Sequence, residues 1–232
     1  MSPTSPLVLF LHGAGGGGWQ WRDWRSAFWA AGFINTRAID LQPNAAGLEA
    51  TSIDDYVAQA RAWCEQEDTP SIVVGASMGG LLGLLLAETC TPQALVLVNS
   101  VPPAGTAGWP LRSRDFPDRV AWSTDTTIQD TQASMPEADR MTAAWTHARW
   151  RDESGQVMRT LWHGVPVKRP ACPVLVICSG LDNTVPTPVC EQLAQDMGAE
   201  RRLFPAVSHV GALIGPEASR IAQTVVQWLR QL

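Results

Sequence analysis

The chain has 232 residues, of which 45% are apolar and 17% charged, and its formal net charge is −5. That length and balance suit one large α/β domain with a substantial core and exclude a disordered chain. The acidic balance, without a clustered Lys/Arg stripe, speaks against a nucleic-acid partner. The longest N-terminal apolar run, Leu7 to Leu11, is too short for a signal segment or a membrane span. That run predicts a buried strand, ended by His12-Gly13. Trp19–Ala31 reads as a helix closed by Gly32, and Ile34–Ile39 as a strand ending at Asp40. Ser52-Ile53-Asp54-Asp55 resembles a capping box with Asp in place of Glu. Apolar residues then follow at helical spacing from Ile53 to Cys64, with Pro70 beyond the end. Ile72–Val74, Ala94–Val98 and Val174–Cys178 read as buried strands, and Leu203–Phe204 as the start of a last one. Leu81–Ala87 is apolar on every side, as a largely buried helix is. Gly215-Pro216 opens a final helix, with the apolar stripe Ile221, Val225, Trp228, Leu229 and Leu232.

Near-continuous apolar strands alternating with helices predict a parallel sheet covered on both faces. Between about Pro102 and Arg169 the rhythm breaks. No buried strand is credible there, and the stretch reads as irregular helices inserted on the sheet. Five of the eleven tryptophans fall in it: Trp109, Trp122, Trp145, Trp150 and Trp162.

The chemistry-bearing residues lie outside that stretch. Gly13 to Gly18 matches G-x-G-x-x-G, with Asp40 at a distance suited to a ribose contact, so a dinucleotide site is one reading. The other starts from Gly75-Ala76-Ser77-Met78-Gly79, a G-x-S-x-G between a strand and a helix. The sharp turn there projects Ser77 from the C-terminal edge of the sheet, with helix N–H groups behind it. A serine needs a general base. His209 follows the last predicted strand, where catalytic loops of open α/β sheets gather. His147 and His163, inside the insertion, read as ordinary surface or core residues. An acid must hold the imidazole, and Asp182, directly after the strand Val174–Cys178, is placed for it. The chain order is Ser77, Asp182, His209. The oxyanion of acyl transfer needs donors. Met78 N–H supplies one, and the loop after the first strand supplies the other, with Ala14 N–H the candidate. The glycine run then serves close approach to the serine. The dinucleotide reading leaves His12, Ser77, Asp182 and His209 unexplained and puts Trp19 and Trp21 where tight helix packing is required. Asp40 falls back to a turn residue.

Taken together, "LVLFLHGAGGGGW", "AID", "GASMGG", "LVNSVPPAG", "SGLDNTVP" and "SHVG" resemble the α/β-hydrolase superfamily, in the family's order and over nearly the whole chain. The resemblance implies an α/β-hydrolase fold in a single domain over residues 1–232. Its sheet would be mostly parallel, of about six strands flanked by helices, two fewer at the start than the family's full sheet. A helical cap insertion would span about 103–168, with the five tryptophans lining an acyl pocket or packing the cap onto the core. A serine nucleophile implies esterase, thioesterase or amidase chemistry on a small or medium acyl substrate, with no cofactor. A non-catalytic ligand receptor on the same fold, or a perhydrolase or hydroxynitrile lyase using the same triad, are the alternatives. Five cysteines without a C-x-x-C (Cys64, Cys90, Cys172, Cys178, Cys190) read as reduced, buried thiols of a cytoplasmic protein. Four histidines without ligand spacing argue against a metal site.

Overall fold

The computed structural model describes residues 6–66, 71–110 and 115–232. Strand β1 (Leu7–Leu11) passes through a 3₁₀ turn, Gly18–Trp21, into helix α1 (Arg22–Ala30), strand β2 (Thr36–Ala38) and helix α2 (Ile53–Glu65). Strand β3 (Ser71–Ala76) feeds helix α3 (Met78–Leu86), and strand β4 (Ala94–Val98) follows. The inserted stretch comes next. It carries β5 (Arg119–Val120), α4 (Trp122–Asp125), α5 (Ile128–Ser134), α6 (Arg140–His147), β6 (Glu153–Ser154) and α7 (Gly155–His163). The chain ends with β7 (Val174–Ser179), α8 (Thr187–Met197), β8 (Glu200–Phe204), α9 (Gly211–Ile214) and α10 (Ala218–Leu229).

The main sheet has six strands in the order β2-β1-β3-β4-β7-β8, all neighbours parallel. From β1 the chain goes to β2 on one side and returns as β3 on the other, with Leu11 opposite Gly75. This reversal of strand order opens a crevice at the C-terminal edge, between the ends of β1 and β3. The glycine loop and Ser77 therefore meet there. The strands alternate their side chains between two cores. Val8 and Phe10 pack with Trp24 and Phe28 of α1 and with Ile221 and Val225 of α10. Leu9 and Leu11 pack with Tyr56 and Ala60 of α2, Leu81 and Leu82 of α3, and Leu193 of α8.

Local signals set the helix ends. Ser52 and Asp55 form the reciprocal capping box at the start of α2. Gly32, at φ 96°, closes α1: its N–H reaches Trp29 O and that of Phe33 reaches Phe28 O, both at 3.0 Å.

The differences from expectation have physical causes. β2 is an edge strand of three half-buried residues, and Ile34, 71% exposed, is not part of it. β8 ends at Leu203–Phe204 instead of starting there; its first residues, Glu200, Arg201 and Arg202, are exposed on the other edge and carry no apolar signal. Gly215-Pro216 is the bend between α9 and α10, and Leu232 lies off the buried stripe at 60% exposed. Pro70 lies outside the described residues. In the insertion, β6 is a buried two-residue strand paired antiparallel with β5, too short to announce itself by pattern. The five cysteines are not all buried thiols. Cys178, in β7, and Cys190, on α8 packed against it, form a disulfide with Cα atoms 5.9 Å apart. Cys64, Cys90 and Cys172 are free, and only Cys64 of these is buried. The reduced-thiol argument for a cytoplasmic location loses that pair. Among the described residues, no helix is long and apolar enough to cross a membrane.

Candidate active site

Ser77 sits between β3 and α3 at φ 52° and ψ −119°, a region that a side chain enters only at a cost of about 1–3 kcal/mol. The surroundings hold it there. Its N–H donates to Val98 O, and its C=O accepts from Gly80 N–H and Val101 N–H, all at 3.0 Å. The turn is so tight that a Cβ on Gly75 would lie 2.1 Å from Gly79 O. Met78 opens α3, so its N–H is one of the first-turn donors that a helix does not use internally.

The glycine loop runs beside the serine. A Cβ on Gly13 would approach Ser77 Cβ to 3.1 Å, and Ala14 lines the same cavity as Ser77. The loop is fixed on both flanks. His12 is buried; its Nδ1–H donates to Gly13 O at 2.8 Å and its Nε2 accepts from Leu41 N–H at 2.9 Å. Burial pushes its pKa down to about 4, so the ring is neutral, as an Nε2 acceptor requires. On the other flank, Arg151 N–H donates to Gly15 O at 2.8 Å, and Gly15 N–H donates to Glu153 Oε2 at 3.1 Å. Glu153 is buried in the insertion and also accepts from Tyr56 OH at 2.8 Å. Burial raises the pKa of this carboxyl, against the pull of its hydrogen bonds, and burial raises that of Tyr56 likewise. Gly15 itself, at φ 68°, leaves room for the ring of Trp122, which a Cβ would meet at 2.2 Å.

His209 and Asp182 come from the loops after β8 and β7. Asp182 Oδ2 lies 2.7 Å from His209 Nδ1, and its Oδ1 accepts from Thr184 and Val185 N–H, both at 2.8 Å. The carboxylate is buried, with three donors around it. His209 also lines the cavity with Ser77. Asn99, at φ 46° after β4, holds the histidine loop from below: its Nδ2 donates to His209 O at 3.1 Å and to Ser179 Oγ at 2.9 Å. Glu137, from the insertion, accepts from Ser208 N–H at 2.7 Å and Ser208 Oγ at 2.9 Å. A serine on a strained turn, an imidazole tied to a buried carboxylate and nearby N–H groups are the parts that nucleophilic acyl transfer uses.

The cavity holds about 580 Å³ and is roofed by the insertion. Trp109, Trp122, Trp150 and Trp162 line it. Trp145 does not. Its ring meets Trp19 edge-on at 5.4 Å, with the guanidinium carbons of Arg22 and Arg149 at 4.6 and 4.0 Å from its centroid, so it packs α6 onto the α1 side of the sheet. His147 and His163 lie outside the cavity lining. Asp40 accepts from Gly18 N–H at 2.7 Å, at the foot of the glycine loop. Sequence reasoning gave no role to Gln20, Asn99, Glu137 or Glu153. None belongs to a spacing motif, and only their contacts mark them.

The model of the alpha/beta hydrolase family matches residues 8–223, and the chain belongs to that family. No curated protein matches the sequence. Among solved structures, a methylesterase protein from Arabidopsis superposes with a TM-score of 0.76 at 14% identity, covering 98% of this chain and 100% of that one. Polyneuridine aldehyde esterase gives 0.76 at 16%, with coverage of 98% and 100%. A monoacylglycerol lipase from Paleococcus ferrophilus gives 0.74 at 16%, with coverage of 98% and 96%. At these identities the likeness is one of fold.

Proposed function

We propose that the protein is a serine hydrolase that cleaves a small or medium acyl ester or thioester through an acyl-enzyme. The observation that carries this reading is the meeting of Ser77, at its positive φ, with His209 in one cavity, His209 being tied at 2.7 Å to the buried Asp182. Ser77 Oγ attacks the carbonyl carbon and passes its proton to His209 Nε2. Asp182 keeps the other proton on Nδ1 and stabilises the imidazolium. The tetrahedral oxyanion takes N–H donors from Met78 and Ala14. Collapse expels the alcohol or thiol, which leaves with the proton from Nε2. Water then repeats the sequence on the acyl-enzyme. A cavity of about 580 Å³ walled by tryptophans suits a chain of modest length. That the named structural neighbours are esterases and a lipase agrees with this choice of bond.

The test is labelling by a fluorophosphonate probe together with hydrolysis of p-nitrophenyl esters of two to twelve carbons. Labelling at Ser77 and a burst of p-nitrophenol are expected, both lost in Ser77→Ala. A folded protein that neither labels nor turns over any ester would overturn the proposal and favour a ligand receptor.

A further inference from the structure

The chain turns sharply at the glycine loop. Gly16 N–H donates to Gly13 O at 3.1 Å, which closes a four-residue turn with Ala14 and Gly15 at its centre. The backbone φ is positive at Gly15, 68°, and not at Ala14. That combination is a type II turn, whose third position glycine enters without strain. Type II and the commoner type I turn differ in the direction of one peptide, here Ala14–Gly15. Whatever holds that peptide selects the turn.

Glu153 holds it. Gly15 N–H, the donor of that peptide, reaches Glu153 Oε2 at 3.1 Å. In the type I form the peptide would turn this N–H away and bring Ala14 O toward the carboxylate, oxygen against oxygen. The carboxylate is itself fixed. Its Oε1 accepts from Tyr56 OH at 2.8 Å and from Ser154 N–H at 2.9 Å, and the residue is buried. The backbone of Glu153 is paired with Val120 of β5, and Ser154 Oγ ties the same strand to Thr51 O at 2.6 Å. The preceding peptide, Gly13–Ala14, is held at its carbonyl. Gly13 O accepts from His12 Nδ1–H at 2.8 Å as well as from Gly16 N–H. A trans peptide sends its N–H opposite to its C=O, so these bonds aim Ala14 N–H out of the turn. The two peptides that meet at Ala14 Cα are thus both fixed, one by the adjacent histidine and the other by a side chain of the insertion.

We propose that Glu153 is a positioning residue for acyl transfer: through Gly15 N–H it keeps the glycine loop in the turn that presents Ala14 N–H to the oxyanion. Glu153 does not line the cavity that holds Ser77, so it acts only through the loop. A preaimed donor matters most where charge develops, so the effect falls on the transition state and not on substrate affinity. This rests on the reading of the site as that of a serine hydrolase.

The experiment sets reach against charge. Glu153→Asp keeps the carboxylate but withdraws it by one methylene from Gly15 and Tyr56. Glu153→Gln loses the charge but keeps an oxygen that can accept from Gly15 N–H while its amide donates to Tyr56 Oη. Tyr56→Phe removes the tyrosine bond alone. Three quantities are measured: kcat on p-nitrophenyl octanoate, inhibition by octylboronic acid, whose boron adds Ser77 Oγ to give a tetrahedral anion, and octanamide binding by tryptophan fluorescence. Glu153→Asp is expected to lower kcat about tenfold or more and to weaken the boronic acid by a similar factor, with octanamide affinity within about twofold. Glu153→Gln is expected to be faster than Glu153→Asp, and Tyr56→Phe to keep nearly the full rate at a lower melting temperature. Glu153→Met takes the place of Glu153→Asp if that variant does not fold. Full kcat and boronic acid affinity in Glu153→Asp overturn the proposal. So does a Glu153→Gln slower than Glu153→Asp, since charge would then be what counts, and so does a loss of octanamide affinity equal to the loss of kcat. An unaltered protein that turns over no ester and binds no boronic acid overturns the hydrolase reading and this proposal with it; an active one with any of the other results overturns this proposal alone.

Discussion

Glu137 of the insertion accepts two hydrogen bonds from Ser208, the residue just before His209. The position of the histidine loop thus depends on a side chain from a different part of the chain. Glu137→Ala leaves the Ser208 N–H and hydroxyl without this partner, at a cost of about 1–3 kcal/mol in stability. Turnover is expected to fall about tenfold or more while affinity for an octanamide probe changes little, since Glu137 does not line the cavity. Glu137→Gln, which keeps an acceptor at Oε1, is expected to recover most of the rate. Urea midpoints and kcat on a p-nitrophenyl ester check both.

Ser77→Ala is expected to lower ester turnover by on the order of a millionfold with the fold intact. Ser77→Gly is equally inactive but melts higher than the unaltered protein. Glycine adopts φ 52° without the side-chain penalty, so about 1 kcal/mol or more of strain is relieved. Near-normal activity in either variant removes Ser77 from the role given to it.

Asp182→Asn keeps Oδ1 as acceptor for Thr184 and Val185 N–H, so the loop keeps its shape. The amide nitrogen cannot accept from His209 Nδ1–H, and the tautomer needed for catalysis is lost. Turnover is expected to drop roughly ten-thousandfold. Asp40→Asn, at the foot of the glycine loop, is expected to be mild. The reverse ranking of these two variants identifies Asp40 as the acid.

His12 titrates at about 4 in the folded protein, against an ordinary value of 6.5. Between these values the unfolded chain takes up a proton that the folded chain refuses, so stability is complete above pH 6.5 and falls as pH drops toward 4. The full loss is about 3 kcal/mol for this group. His12→Gln is expected to flatten that part of the profile, read from urea midpoints at pH 4, 5, 6 and 7. An unchanged slope in the variant assigns the acid sensitivity elsewhere.

The tryptophans divide by position. Trp145→Ala removes the ring between Arg22 and Arg149 and costs about 2 kcal/mol, a partial form of the loss for a fully buried ring. It leaves the acyl-length profile where it was. Trp109→Ala, Trp122→Ala, Trp150→Ala and Trp162→Ala enlarge the cavity and shift preference toward longer esters. Melting temperatures beside kcat/KM over a two- to twelve-carbon series separate the two groups.

What the sequence reveals follows from which physical signals are local. The central strands are uniformly apolar because helices cover both their faces, so Leu7–Leu11 and Ala94–Val98 are legible to the residue. The edge strands β2 and β8 are not, because half their surface meets solvent and Arg202 or Thr36 serves there as well as valine. G-x-S-x-G carries its own explanation in a turn that only small residues permit, and Asp182 and His209 sit directly after strands. Glu137 and Glu153 act across long sequence separations, by contacts that no spacing encodes. The same holds for Trp145, which resembles its four neighbours in the chain and differs only in what it touches.

Among the hydrogen bonds that tie the insertion to the rest of the domain, one runs from Gly15 N–H to Glu153 and one from Ser208 N–H to Glu137. These anchor points are the loops that carry the proposed oxyanion donor, Ala14, and the proposed base, His209. A roof so attached swings aside only by breaking these bonds or by shifting both loops. If the roof stands during turnover, release is expected to respond to the width of its opening; a turnover rate that falls with solvent viscosity would show instead that the roof moves.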